Sequence, residues 1–233
     1  MTTSALIVAA GAGVRMGGGT RKQYRPLAGS PVLAHSLAAF DACPGIECLV
    51  VVVAEREIDF CRREIIAPAN LSKPVSLAAG GARRQDSVAS GLAAIQAREG
   101  IVLIHDGVRP LVDAGLIERC IASARQWQAC IPALPASDTL KQVDARGVIR
   151  STPARDTFYL AQTPQAFDLA LIREAHAAAR QNGWEATDDA SLVERLGLPV
   201  HVIPGSRHNL KITTPEDLLI AEALLLTLRT TSK

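Results

Sequence analysis

The sequence predicts an α/β fold: a mostly parallel sheet with helices on both faces, and one β-arm protruding from it. Three observations carry that expectation. Short, unbroken apolar runs alternate with segments of helical period, as strands buried on both faces and their crossover helices require. Hydrophobic residues make up 48% of the 233 and aromatics only 3%, so the core is built from Ala, Val, Leu and Ile, which suits helix-on-sheet packing. The alternation breaks once, at about 136–155, and then resumes.

The first run, Ala5-Leu-Ile-Val-Ala9, reads as a buried strand that gives way to glycines. Residues 31–40 repeat apolar positions at helical spacing with Pro31 at the first turn, and Cys43-Pro44-Gly45 ends them. A strand at 48–54, a helix at about 56–67 and a short strand at 75–78 follow. A helix at about 85–98 puts Val88, Leu92 and Ile95 on one stripe. Ile101-Val-Leu-Ile-His-Asp106 is the next strand, then a helix at 114–126 and a strand at 129–134. At 136–155 two β-prone pieces flank Asp144-Ala-Arg-Gly147, a hairpin turn with Gly at a positive-φ position. A lone hairpin is marginal in water, so this one packs either on a second subunit or back onto its own domain. Strands at 158–162 and 200–203, helices at 168–182 and 188–196, and a last helix opened by Thr214-Pro-Glu-Asp217 complete the chain. With no repeat, low-complexity tract or linker, residues 1–233 read as one domain.

A net charge of +2, from 25 basic and 23 acidic residues, excludes a general nucleic-acid or membrane-surface binder. Cys43, Cys48, Cys61, Cys120 and Cys130 are scattered and odd in number, which argues against a disulfide framework or a zinc site and for a reducing cytoplasm. No basic leader precedes the first apolar run, and no apolar stretch reaches the ~20 residues that span a bilayer.

The chemistry begins at Ala9-Ala10-Gly11-Ala12-Gly13, a strand-to-helix turn whose backbone N–H groups approach an anion without a Cβ in the way. Arg15 and Lys22 add positive charge just beyond, so a polyphosphate ligand is expected. The P-loop pattern fails because the lysine follows Arg21 rather than glycine, and the dinucleotide pattern fails because Met16 stands where its third glycine belongs. Asp106 ends a strand whose carboxyl end faces the same crevice, and one carboxylate plus substrate phosphates is what Mg²⁺ takes; a turn or cap role is the alternative. Gly80-Gly81 opens a second turn able to present N–H groups and the Ser87 hydroxyl to a base or ribose, while Arg83 and Arg84 read as a solvated helix face. Arg155 and Lys211 are each able to hold a phosphate, though singly they read as surface charges. His35 reads as a helix residue, and His105 stands in no Ser/His/Asp order.

In these blocks, together with Lys22-Gln-Tyr24, Gly29-Ser-Pro-Val-Leu-Ala-His35, Asp86-Ser-Val88, His105-Asp-Gly-Val-Arg-Pro110, Arg155-Asp-Thr157, Gln162-Thr-Pro-Gln165, Thr187-Asp-Asp189 and Asn209-Leu-Lys-Ile-Thr213, the chain resembles the 2-C-methyl-D-erythritol 4-phosphate cytidylyltransferases. The resemblance implies a Rossmann-like nucleotidyltransferase that joins CTP and methylerythritol phosphate into a CDP-alcohol with release of pyrophosphate, a step of non-mevalonate isoprenoid biosynthesis. It implies Mg²⁺ on Asp106 and a homodimer clasped by the β-arm. It assigns Ala9, Ala10, Gly11, Ala12 and Gly13 to the triphosphate, with Arg15 and Lys22 stabilising charge as pyrophosphate leaves. Gly81 and Ser87 fall to the cytosine and ribose side, Lys211 and Arg155 to the alcohol phosphate, and Arg109 and Thr187 to that substrate's pocket. Two positions depart from the family's habit: Arg21 replaces a proline and Ala82 an acidic residue. A transferase for another polyol phosphate, a nucleotide-binding regulatory module and, more distantly, a dehydrogenase are the competing readings.

Overall fold

The structure, a computed structural model, describes residues 2–11 and 21–231. In chain order these form β1 (Thr3–Val8), β2 (Pro26–Leu27), β3 (Ser30–Pro31), α1 (Val32–Ala42), β4 (Cys48–Val53), α2 (Ile58–Phe60), α3 (Ala67–Ala69), β5 (Val75–Ala79), α4 (Arg84–Ala94), β6 (Ile101–Asp106), α5 (Ala114–Trp127) and β7 (Ala129–Pro135). They continue with β8 (Gln142–Val143), β9 (Ile149–Ser151), β10 (Tyr159–Ala161), β11 (Gln165–Asp168), α6 (Leu169–Asn182), α7 (Ala190–Arg195), β12 (His201–Pro204) and α8 (Pro215–Thr231). A 3₁₀ turn at Glu55–Glu57 leads into α2, and a π-helical turn at Cys61–Ile66 joins α2 to α3. Among the described residues no helix is long and apolar enough to cross a membrane.

The main sheet runs β10-β7-β11-β6-β1-β4-β5, with β12 on the other side of β7. β1 lies parallel to both β4 and β6, in the registers Ile7 opposite Val51 and Val8 opposite Asp106, and β5 lies parallel to β4. β10 and β11 run antiparallel to their neighbours. The expected mostly parallel sheet is present, with two reversed strands within it.

Alternation along each strand divides the core between the two faces. Ile7, Val51 and Leu103 pack with Leu37 and Phe40 of α1 and Leu116 and Cys120 of α5. Leu6, Val50, Val52 and Val102, one residue out of phase, pack with Val88 and Leu92 of α4, Ile172 of α6 and Leu192 of α7. A smaller cluster of Leu27, Val32, Val108, Leu111, Ile212 and Ala221 seats α8 beside the carboxyl ends of the strands.

Two local expectations shift. The helix expected to reach residue 98 ends at Ala94, because the Arg173 guanidinium on α6 donates to the carbonyls of Leu92 (3.1 Å), Ile95 (2.7 Å) and Ala97 (2.9 Å). That side chain satisfies carbonyls which a continuing helix would have bonded internally. Ile95 still packs into the core, 4% exposed, from an extended backbone. The strand expected at 158–162 is only Tyr159–Ala161, and β11 follows it unannounced.

The hairpin at 142–151 forms as expected. Gly147 takes φ +79°, and Asp144 Oδ1 accepts from the N–H groups of Arg146 (2.9 Å) and Val148 (3.0 Å). Its apolar side chains face outward, with Val143, Val148 and Ile149 each at least half exposed.

Candidate active site

The carboxyl ends of β1, β4, β5 and β6 open into a cleft of about 290 Å³, lined by Ala9–Gly11, Arg21–Gln23, Ala54, Gly81–Arg84, Ser87, Asp106, Val108 and Lys211. Its walls continue the sheet's own hydrogen bonds. Ala9 N donates to Val52 O (2.7 Å), Gly80 N to Val53 O (2.7 Å) and Gly107 N to Val8 O (2.9 Å), so each loop leaves its strand in fixed register. The two glycine turns touch, since a Cβ on Gly80 would stand 2.3 Å from that of Ala10; within the second turn, one on Gly81 would stand 2.4 Å from that of Asp86. Only residues without a Cβ allow this approach.

Asp106 lies on the floor, 7% exposed. Arg84 Nε approaches its Oδ1 at 3.3 Å, Lys211 Nζ its Oδ2 at 2.8 Å, and Arg109 Nε stands 3.9 Å from Oδ2. Burial pushes its carboxyl pKa up, but the charges of Arg84, Lys211 and Arg109 outweigh that and hold it well below the usual carboxylate range. Asp106 is therefore an ionised carboxylate at any ordinary pH. Lys211 arrives there because its neighbours are anchored: Asn209 is fully buried with Nδ2 on Thr163 O (2.7 Å), and Ile212, also buried, donates its N–H to Val108 O (2.9 Å).

Behind the floor lies a second carboxylate. Asp189, 1% exposed, pairs through Oδ2 with Arg84 Nη1 at 2.8 Å and through Oδ1 with His176 Nε2 at 3.2 Å. The Oδ2 contact is close but not aligned as a hydrogen bond, so the attraction is that of charge. Burial raises the Asp189 carboxyl pKa; Arg84 first and then His176 more than reverse it, and the net shift is downward. For Arg84, burial favours the neutral form but Asp189 and Asp106 win, and its pKa rises.

His105 is neutral: complete burial pushes its pKa down to about 4. Thr163 Oγ1 accepts from Asp106 N (3.1 Å) and pairs with His105 Nδ1 (3.1 Å), while Nε2 faces Arg109 O (3.2 Å). With both nitrogens engaged inside the protein, the imidazole fixes the β6 terminus. His35, as expected, is a helix residue, with Nε2 on Leu27 O at 2.8 Å.

The structure brings together Ala9, Ala10, Gly11, Lys22, Gly81, Ser87, Asp106 and Lys211 in one cleft. Ser87 Oγ accepts from Gly81 N and donates to Arg83 O, both at 3.1 Å, so the hydroxyl also holds its own turn closed. Ala12, Gly13 and Arg15 lie outside the described residues. Arg109 sits behind Asp106 rather than on the cleft wall, 8% exposed, with Nη1 donating to Asn209 O at 2.7 Å. Thr187 is exposed on the turn before α7, and Arg155, exposed at the base of the hairpin, donates from Nη1 to Ser137 O at 2.5 Å; neither lines the cleft.

Arg84 corrects the sequence-based expectation. It is no solvated face residue: its side chain is 27% exposed and bridges two carboxylates, whereas Arg83 is exposed and pairs with Asp86 and Glu185. Gln23 carries no role from the sequence alone. It is 1% exposed, and its Nε2 donates to Ala9 O (2.7 Å) and Gly11 O (3.3 Å), tying the Lys22 turn to the first glycine turn.

These features agree with the comparisons with known proteins. The chain is 54% identical over 226 residues to the 2-C-methyl-D-erythritol 4-phosphate cytidylyltransferase of Syntrophotalea carbinolica, with 97% of each chain covered. The enzyme of that name from Geotalea uraniireducens is 47% identical over 227 residues, again over 97% of each. Among solved structures, 4-diphosphocytidyl-2C-methyl-D-erythritol synthase from Anaerococcus prevotii superposes with a TM-score of 0.86 at 32% identity, covering 97% of this chain and 96% of that one. The 2-C-methyl-D-erythritol 4-phosphate cytidylyltransferase of Thermus thermophilus does so at 0.77 and 37% identity, covering 96% and 98%. The sequence profile of the 2-C-methyl-D-erythritol 4-phosphate cytidylyltransferases matches residues 3–227, and the chain belongs to that family.

Proposed function

We propose that the protein transfers the cytidylyl group of CTP to 2-C-methyl-D-erythritol 4-phosphate, giving 4-diphosphocytidyl-2-C-methyl-D-erythritol and pyrophosphate, a step of non-mevalonate isoprenoid biosynthesis. The observation that carries this reading is the pairing of an ionised, three-cation-flanked Asp106 with two touching glycine turns in one cleft. The acceptor's phosphate is already an anion at neutral pH, so the reaction needs no strong base. Its oxygen attacks the α-phosphorus of CTP, a P–O bond forms, and the bond to the bridging oxygen breaks with its electron pair leaving on pyrophosphate. The difficulty is mutual repulsion of anions, which fixed cations offset.

In this reading Ala9–Gly11, with Ala12 and Gly13, cradle the triphosphate, and Lys22 with Arg15 neutralises the leaving group. Gly81 and Ser87 recognise the cytidine. Lys211 faces the acceptor phosphate, and Arg109 holds Asp106 from behind. Arg155 and Thr187 complete the acceptor's pocket, Arg155 from the arm of a second copy; the outward apolar faces of Val143, Val148 and Ile149 support a homodimer joined there. One domain over 1–233 with the arm at 136–155 suits the single continuous main sheet.

Asp106 offers one hard anionic oxygen donor where the triphosphate enters, and among the described residues no cluster of three or more His, Cys, Asp or Glu is built to cage an ion. That donor set fits Mg²⁺, which takes its remaining ligands from phosphates and water. When bound, Mg²⁺ would supply Lewis-acid neutralisation of the triphosphate. Five free thiols suit a reducing, cytoplasmic compartment.

The test is pyrophosphate release with Mg²⁺ and each of CTP, ATP, UTP and GTP, with methylerythritol phosphate or ribitol phosphate as acceptor. Release is expected only with CTP plus methylerythritol phosphate. Release with ribitol phosphate alone would change the acceptor, and none with any pair would leave a nucleotide-binding regulatory module.

A further inference from the structure

Glu57 stands outside the cleft lining, on the 3₁₀ turn that follows β4, yet it holds both ends of the turn that carries Lys22. Its Oε1 pairs with Arg21 Nε at 2.6 Å, with the two side chains only 15% and 16% exposed, and its Oε2 accepts from Tyr24 Oη at 3.1 Å. Arg21 and Tyr24 are the first and last residues of that turn, closed by Tyr24 N donating to Arg21 O at 2.9 Å. The Tyr24 ring packs edge-on against Phe60 of α2, with centroids 5.0 Å apart. Burial first, then Cys61 and Glu57, raises the Tyr24 pKa, so the phenol remains a donor. On its other side the turn reaches the first glycine loop, through Gln23 to Ala9 O and Gly11 O and through Arg21 Nη1 to Ala10 O (3.3 Å).

We infer that Glu57 is a positioning residue for cytidylyl transfer: its carboxylate clamps Arg21 and Tyr24, fixing the Lys22–Gln23 turn against Ala9–Gly11 before the nucleotide arrives. The inference rests on the proposed transferase reading. A carboxylate receiving one charged and one neutral donor locates two side chains at once, and its own backbone is fixed by Glu57 N donating to Ala54 O (2.8 Å), at a residue that lines the cleft. Glu57 therefore couples the β4 end of the cleft to the glycine loop while its side chain stays clear of substrate. Preorganisation of this kind acts on the nucleotide half of the reaction, because the clamped turn holds no group assigned to the acceptor.

The experiment compares wild type with Glu57→Ala, Glu57→Gln and Tyr24→Phe, reading kcat and KM for each substrate, thermal midpoints, and amide hydrogen exchange at residues 9–11 and 22–24. Glu57→Ala is expected to lower kcat/KM for CTP by about tenfold or more, the scale of a modest misplacement of a charge-stabilising group. KM for methylerythritol phosphate should stay within about twofold, and exchange at both segments should quicken. Glu57→Gln, which keeps an acceptor oxygen, should recover part of the loss, and Tyr24→Phe should show the smallest. Unchanged kcat/KM for CTP in Glu57→Ala would overturn the inference. So would an equal rise in both KM values alongside a lowered midpoint, the pattern of a merely structural residue. Should wild type itself release no pyrophosphate from CTP, the transferase reading fails, and the exchange comparison still decides the clamp: unchanged exchange at 9–11 rejects it.

Discussion

Asp106→Asn is expected to lower kcat for pyrophosphate release by about 10²–10³-fold, the range found when one preorganised electrostatic group is removed from a site that stabilises developing charge. The substitution keeps the shape and deletes the charge on which Arg84, Lys211 and Arg109 converge. Lys211 loses its partner at 2.8 Å and no longer has a reason to point at the cleft floor, and the divalent cation proposed above would lose its one protein ligand. The fold should persist. Arg84 keeps Asp189, Lys211, 40% exposed, is hydrated without its partner, and Arg109, the most distant of the three at 3.9 Å, keeps its bond to Asn209 O. The acidic side of the pH–rate profile should not report Asp106. Its pKa is depressed, so the stability its ionisation brings is complete above the unfolded value of about 3.9 and is lost only as pH falls through the lower folded value. Between pH 5 and 8 wild type and Asp106→Asn should therefore differ by a constant factor. Turnover within about fivefold of wild type in a folded Asp106→Asn would remove Asp106 from the chemistry.

What the sequence made legible follows from the range of the forces involved. The strands of the main sheet that show as unbroken apolar runs, β1, β4 and β6, are buried on both faces, as is the first part of β7, and burial needs nothing beyond local composition. Gly80, Gly81 and Gly147 were readable because a missing Cβ is itself the signal. β2 and β3 are two residues each, too short for any period to show, and the four residues of β11 contain only Ala166 and Phe167 as apolar signal. The early end of α4 depends on Arg173, a cap supplied from α6, with nothing in the local sequence to announce it. The site divides the same way. Asp106 and the glycine turns stand at strand ends, where topology alone directs them to the crevice. Arg84 looks like any charged residue opening a helix until Asp106 and Asp189, 22 and 105 positions away, close on it. The sequence shows only the adjacent Asp188 and Asp189; that Asp189 is 1% exposed, and so needs the cation it meets in Arg84, appears only once the chain is folded.

That buried pair sets the largest expected effect on stability. Asp189→Ala should lower the unfolding free energy by about 3–5 kcal/mol, the usual result of removing one partner of a buried ion pair. For a chain of this size that corresponds to a fall of roughly 10 °C in the thermal midpoint. Arg84 would then be left with the longer contact to Asp106 alone, and His176 without its partner. The sign of the pH dependence follows from the lowered Asp189 pKa: the stabilisation is present above about pH 4 and fades as pH falls through the folded value, so the gap between wild type and variant should narrow in acid. A second variant separates structure from chemistry. Replacing both partners with apolar residues, Arg84→Met with Asp189→Leu, should recover most of the lost stability, since a packed apolar pair avoids the desolvation that the ions incur. Its turnover should fall below that of Asp189→Ala, because only in the double variant does Asp106 lack Arg84. If the double variant regained stability and turned over as well as Asp189→Ala, Arg84 would be a structural cation only; if it regained no stability, the Arg84–Asp189 pair would be holding more of the α4–α7 packing than its charges account for.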